Sequence, residues 1–187
     1  LKSLTIGQYK NLKDFTLSFD STSFIDVFVG KNGSGKSNFF EALIEIFRHI
    51  YEFDKGKAAL GFTYAVRYEV AGEETSIEWD AGQLKINGNV RKSIGQTPVP
   101  DNVLIYYSGH NDTVTDLVQE YETAFGKRIK TADFNESRRF IGISPDYKDL
   151  LLNVLLLQKP DNTARAFICQ KLGILDVAAE LKLVLKR

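Results

Sequence analysis

With 187 residues, 43% of them hydrophobic, the chain is long enough for one globular domain with a real core. Lys plus Arg and Asp plus Glu each number 24, so the net charge is zero, which excludes a chain-wide basic field for nucleic acid and leaves only a local patch. The lone cysteine, Cys169, excludes a disulfide framework and fits a reducing compartment, and no signal peptide or bilayer-length apolar run occurs, so the chain reads as cytoplasmic and without a membrane partner. There is no methionine, not even at position 1, so the sequence reads as lacking its translational start.

In chain order, Leu4 and Ile6, then Phe15, Leu17 and Phe19, alternate with polar residues on either side of Tyr9 to Asp14, which predicts two strands and a turn. A third strand is predicted over Ser23 to Val29, where Phe24, Ile25, Val27, Phe28 and Val29 make an apolar run. It feeds Gly30-Lys31-Asn32-Gly33-Ser34-Gly35-Lys36-Ser37, which fits the phosphate-binding pattern G-x-x-x-x-G-K-[ST] at every fixed position. The alternative is a glycine-rich turn with an accidental Gly-Lys-Ser.

The chemistry asks for each of these residue types separately. Gly30, Gly33 and Gly35 let the loop curl so that backbone N–H groups face phosphate. A helix starting at about Ser34 adds its unpaired N–H groups and the positive end of its dipole. Lys36 supplies a mobile charge for the β- and γ-phosphates of ATP, and Ser37 a hydroxyl for Mg2+. Along this helix the spacing places Phe39/Phe40, Leu43, Phe47 and Ile50/Tyr51 inward and Glu41, Glu45 and Arg48 outward, with His49 a surface or packing residue.

From Phe62 to Val90 the period falls to two. Phe62, Tyr64, Val66, Tyr68 and Val70 share a face, Ile77 and Trp79 and then Leu84 and Ile86 follow, and Gly72 and Gly82 mark turns: an antiparallel meander. Its aromatic stripe is either a base-stacking platform or, more simply, the apolar face of the sheet. Residues 91–101 are a loop; Val103 to Tyr107 is a buried-type strand. Ser108-Gly109-His110-Asn111 follows, either touching nucleotide or Mg2+ at a strand end or forming a glycine turn in which Asp112 or Thr113 caps the next helix. Thr113 to Phe125 is helical, and Gly126 to Ser144 is charged and irregular. Its Lys127, Arg128, Lys130, Arg138 and Arg139 form either a DNA-phosphate patch or a solvated connection. A helix from Pro145 through Leu157 is apolar nearly all round and so needs cover on most sides. Asp161 or Asn162 caps a further helix closed by Gly173, and Leu181, Leu183 and Leu185 alternate as a terminal strand that stops as if cut.

No apolar strand after the phosphate loop ends in an acidic pair, the nearest being Ile174-Leu175-Asp176, and no N-K-x-D for guanine occurs. Ser93-Ile94-Gly95-Gln96 is a faint echo of an S-G-G-Q signature, but Pro98 and Pro100 follow it.

Leu4-Thr5-Ile6-Gly7-Gln8-Tyr9-Lys10-Asn11-Leu12, two strands, then Gly30 to Asn38 and a helix with Glu41-Ala42-Leu43 together resemble the N-terminal start of SMC, RecF and OLD type ATPases. These are the ABC-class heads of chromosome maintenance, DNA repair and anti-phage defence. The likeness rests on about the first 50 residues. It implies a fold class of α/β, a P-loop NTPase head in its N-terminal portion, with an antiparallel β-meander and a helical segment. Residues 1–187 would be a partial head (1–60 strands, phosphate loop and first helix; 61–110 meander and buried strand; 111–187 helical segment and strand), its C-terminal half missing. The resemblance further implies ATP and Mg2+ as cofactors, with Lys36 catalytic and Ser37 the metal ligand. Lys10, Asn11, Gly30, Lys31, Asn32, Gly33, Ser34, Gly35, Lys36, Ser37 and Asn38 would form the nucleotide site, with Lys10 reaching the nucleotide. Gln96 or Gln119 would join the Mg2+ shell. Walker B and signature motifs would come from a C-terminal segment, two heads would dimerise around ATP, and DNA or a defence or repair nuclease would be a partner. Two rival expectations are a small P-loop kinase, for which only Arg138-Arg139 offers a lid, and a non-hydrolysing, nucleotide-switched assembly module.

Overall fold

The two opening strands form as their alternation predicts. β1 (Ser3–Tyr9) and β2 (Leu12–Ser18) pair antiparallel with Tyr9 opposite Leu12, so the turn is only Lys10 and Asn11, with Lys10 at φ 51°. The computed structural model describes residues 1–20, 25–56, 60–106, 112–129, 139–143 and 147–177.

The expected third strand is a correction. Of Ser23 to Val29 only residues 25–29 are described, and they run without strand pairing. Ile25, Val27 and Val29 are 77%, 77% and 87% exposed, while Phe28 turns inward with its ring 4.8 Å from that of Phe39. The run has the side chains of a buried parallel strand, but such a strand needs neighbours on its edges. Among the described residues none lies beside it.

Helix α1 (Lys36–Glu52) follows, its N-cap Gly35 at φ 98°. From Glu41 to Ile50 it is buried or half-buried on every side. One face packs on a six-stranded antiparallel sheet of order β2-β1-β3-β4-β5-β6, made by the hairpin together with β3 (Tyr64–Val70), β4 (Glu73–Asp80), β5 (Gln83–Ile86) and β6 (Asn89–Arg91). Pairing of β1 with β3, Leu4 opposite Val66 and Ile6 opposite Tyr64, welds hairpin to meander. Ala71-Gly72 and Ala81-Gly82 both have positive φ at the two central positions, the handedness that joins twisted strands by two-residue turns. Phe62, Tyr64 and Tyr68 are buried with Val66, Ile77, Leu84 and Ile86, so the aromatic stripe is the apolar face of the sheet and offers no base a platform.

The second face of α1 is covered by the loop after β6 and by α2 (Asp112–Ile129). Tyr51 and Tyr68 donate to the carbonyls of Pro100 and Pro98 at 2.9 and 2.8 Å. Asp54 accepts the N–H groups of Ile94 and Gly95 at 2.7 and 3.1 Å, so Ser93 to Gln96 is a docked loop and opens no helix. β7 (Val103–Tyr106) pairs parallel with β8 (Phe140–Ile143), α2 lying between them in sequence. This corrects the irregular reading of Gly126 to Ser144: α2 runs on through Ile129, and Phe-Ile-Gly-Ile supplies a strand.

α3 (Lys148–Leu156) and α4 (Thr163–Leu172) pack on each other and bury no residue. The cover expected for α3 is absent among the described residues, and Leu150, Leu151, Val154 and Leu157 are exposed. The ends of α4 are those expected: Asn162 accepts the Arg165 N–H at 3.0 Å, and Gly173 closes the helix at φ 67°. Ser108 to Asn111, Pro145, Arg138 and the predicted terminal strand fall outside the described residues. No helix among the described residues is long and apolar enough to cross a membrane.

Candidate functional site

The loop Gly30 to Ser37 lies between the unpaired run and α1, and two of its glycines, Gly33 (φ 81°) and Gly35, hold left-handed backbone that favours glycine. Gly35 has φ 98°, and a Cβ there would sit 2.9 Å from Leu12 Cδ2 and 3.0 Å from Asn11 Oδ1. Conformation and space both exclude a side chain. A Cβ on Gly30 would come within 2.8 Å of Ser34 Oγ. The Ser34 N–H bonds the Lys31 carbonyl at 3.2 Å, tightening the curl, and α1 begins at Lys36, two residues later than expected, when the Phe39 N–H reaches the Gly35 carbonyl at 2.8 Å.

Lys36 bends back over this curl. Its Nζ donates to the carbonyl of Gly30 at 2.5 Å and of Lys31 at 2.9 Å, so its charge sits against the loop backbone. The exposed Ser37 stands at one end of an apolar groove of about 530 Å3 between α1 and β7, lined by Phe40, Leu43, Phe47 and Val103 to Tyr106. Lys31, Asn32 and Ser34 are exposed.

The β1–β2 turn is laid against the back of the loop. Asn11 Nδ2 donates to the Gly33 carbonyl at 3.1 Å, and Asn38 Nδ2 donates to Asn11 Oδ1 at 2.7 Å. Lys10 bonds the carboxylate of Glu41, and its ammonium lies 5.6 Å from the centre of the Tyr9 ring. Asn11 and Asn38 are thereby joined to the loop residues, whereas the Lys10 side chain turns to Glu41. Gln96 does not join them: it is exposed in the loop that Asp54 anchors. Gln119 is exposed on α2.

Glu41 is a residue that sequence reasoning placed wrongly. Helical spacing turned it to solvent, yet its side chain is 3% exposed. The missed signal is that Glu41 lies one helical turn beyond Asn38, on the face the hairpin turn covers, where a basic residue in the turn can meet it.

Charge around α1 follows burial. The Tyr9 hydroxyl is pushed up to about 12 by burial and by the charges of Glu41 and Glu45. Glu45 is raised by burial, which outweighs the opposing pull of Arg48. His49 is lowered to about 4 by burial, with Nδ1 3.0 Å from the Tyr64 hydroxyl and its ring 4.7 Å from that of Trp79. It is a packing residue at the far end of α1. Among the described residues no cluster of His, Cys, Asp and Glu is suited to a metal ion.

Residues 1–141 match the family described as AAA ATPase domain. Similar curated proteins are the DNA replication and repair protein RecF of Bacillus pumilus, 28% identical over 134 residues, and that of Enterococcus faecalis, 27% identical over 125 residues. These alignments take in 72% and 67% of this chain but 31% and 28% of those proteins, so the chain spans about a third of the length of the relatives it matches. No solved structure is a significant match. A family match over most of the chain, phosphate loop and bracing hairpin included, means that the chain belongs to the AAA ATPase domain family and, over its N-terminal region, is SMC/RecF-like and of the ABC class.

Proposed function

We propose that Gly30 to Ser37 binds the phosphates of ATP and that residues 1–187 form the N-terminal part of an ATPase head acting in DNA maintenance or repair. The observation that carries this is Gly35, pinned by its φ of 98° and by Asn11 and Leu12 into a loop whose lysine bends back over it. Lys36 would exchange its carbonyl partners for the β- and γ-phosphates and stabilise charge growing on the bridging oxygen during hydrolysis. Lys31, Asn32, Ser34 and Asn38 would line the mouth of the loop. A Mg2+ ion bound with the triphosphate would neutralise its charge, and Ser37 would supply a hydroxyl to it, in keeping with the few protein ligands that this ion takes. Walker B and signature residues would come from a further segment and a second copy, in a dimer of heads. The RecF relatives, described as DNA replication and repair proteins, support the link to DNA.

The test is calorimetric titration of the chain with Mg-ATP and Mg-GTP, beside Lys36→Ala. Binding of ATP that is lost in the variant is the expected result. Equal binding by both proteins, or none by the wild type, would sink the assignment.

A further inference from the structure

The tie between Lys10 and Glu41 has no part in phosphate chemistry as so far described, yet it engages a buried carboxylate one helical turn beyond Asn38. Glu41 is 3% exposed and Lys10 44% exposed, so the carboxylate is buried beneath a half-exposed ammonium that compensates it. An unpaired buried carboxylate is strongly disfavoured, so Lys10 is not free to leave. The same residue adopts φ 51°, a left-handed conformation that only a minority of side-chain-bearing residues hold. Its ammonium also lies against Tyr9, whose ring packs at 4.9 Å on Phe62 of the buried face. Asn11, next in the chain, grips Asn38 and Gly33, and Leu12 presses on Gly35. The turn is thus held at two points one helical turn apart on α1, Lys10 at Glu41 and Asn11 at Asn38.

We infer that Glu41 is a positioning residue of the nucleotide site: through Lys10 it locks the β1–β2 turn onto α1, so that Asn11 and Leu12 hold the phosphate loop in the shape that accepts a nucleoside di- or triphosphate. Lys10 then acts as a strut, in place of the phosphate ligand the family resemblance implies. This rests on the nucleotide-binding reading, and the experiment separates the two.

Glu41→Gln keeps the shape of the side chain, and Lys10→Met keeps the stem of Lys10. Each variant and the double variant are titrated with Mg-ATP and Mg-ADP, and amide hydrogen exchange is followed without nucleotide. The expected result is a loss of about 10-fold in affinity in each single variant, the same for both nucleotides and no greater in the double, equivalent to about 1.4 kcal/mol. Exchange quickens at residues 33–38 while β3 to β5 keep their protection. Unchanged loop exchange in Glu41→Gln, or exchange that quickens equally across the sheet, overturns the inference. A loss confined to ATP in Lys10→Met also overturns it, by making Lys10 a γ-phosphate ligand. If the wild type binds neither nucleotide, or Lys36→Ala binds as well as wild type, the nucleotide reading falls; the exchange comparison still decides whether Glu41 orders the loop.

Discussion

The α1 unit and the α3–α4 pair have similar apolar content and opposite fates. α1 is enclosed by the sheet on one side and by α2 and the 98–100 loop on the other, and even its Glu41 and His49 are buried. α3 carries a nearly unbroken apolar run and buries no residue among those described. The difference lies in what surrounds each helix: an apolar helix gains stability only from the area its neighbours remove from water.

The largest effect that sharpens this contrast is a cavity. Ile46 is 0% exposed in α1, so Ile46→Ala should cost about 2–5 kcal/mol in urea unfolding. Val154, 47% exposed on α3, should lose less than about 0.5 kcal/mol on the same truncation. Equal losses would break the comparison.

A smaller effect comes from His49. Its folded value of about 4 lies below its ordinary 6.5, so the unfolded chain takes up the proton first as pH falls. The contribution is complete above pH 6.5, is lost as pH drops toward 4, and amounts to about 3 kcal/mol. Unfolding free energies across that window should show the decline in wild type and a shallower one in His49→Gln. An identical slope would mean that carboxylates alone carry the acid sensitivity.

The smallest expected effect concerns α4, whose Asn162 cap holds the Arg165 N–H. Asn162→Ala should weaken this helix by about 1 kcal/mol, and because α4 buries no residue, amide exchange should quicken within Thr163–Leu172 and leave α1 untouched. Quickened exchange in α1 would show that the two regions unfold together.

What the sequence made legible follows from how local the signal is. Asn162 and Gly173 mark α4 because caps act within one turn, and the meander is visible because period two and paired positive-φ turns are local. The phosphate-loop pattern Gly30 to Ser37 was legible because such a loop is specified by its own residues, whereas Lys10 and Asn11 came only from the family resemblance. Glu41 was misread because its environment is set by a hairpin turn 31 positions earlier in the chain, which no helical periodicity can report. The run 25–29 was misread for the opposite reason: strand-like side chains do not supply strand neighbours. β8 escaped notice because four residues between Arg139 and Ser144 carry too little pattern to stand out.

Gly35 leaves the chain a genetic consequence. Trimming Leu12 would relieve one close contact of a methyl group at position 35, but it would leave Asn11 Oδ1 3.0 Å away and the φ of 98° as unfavourable as before. Rotating the backbone into the ordinary helical region would relieve the torsion and undo the curl over which Lys36 bends. The two obstacles have different remedies, and each remedy damages what the other protects. A lesion at this glycine should therefore revert to glycine itself, with no suppressor available at a single neighbouring site.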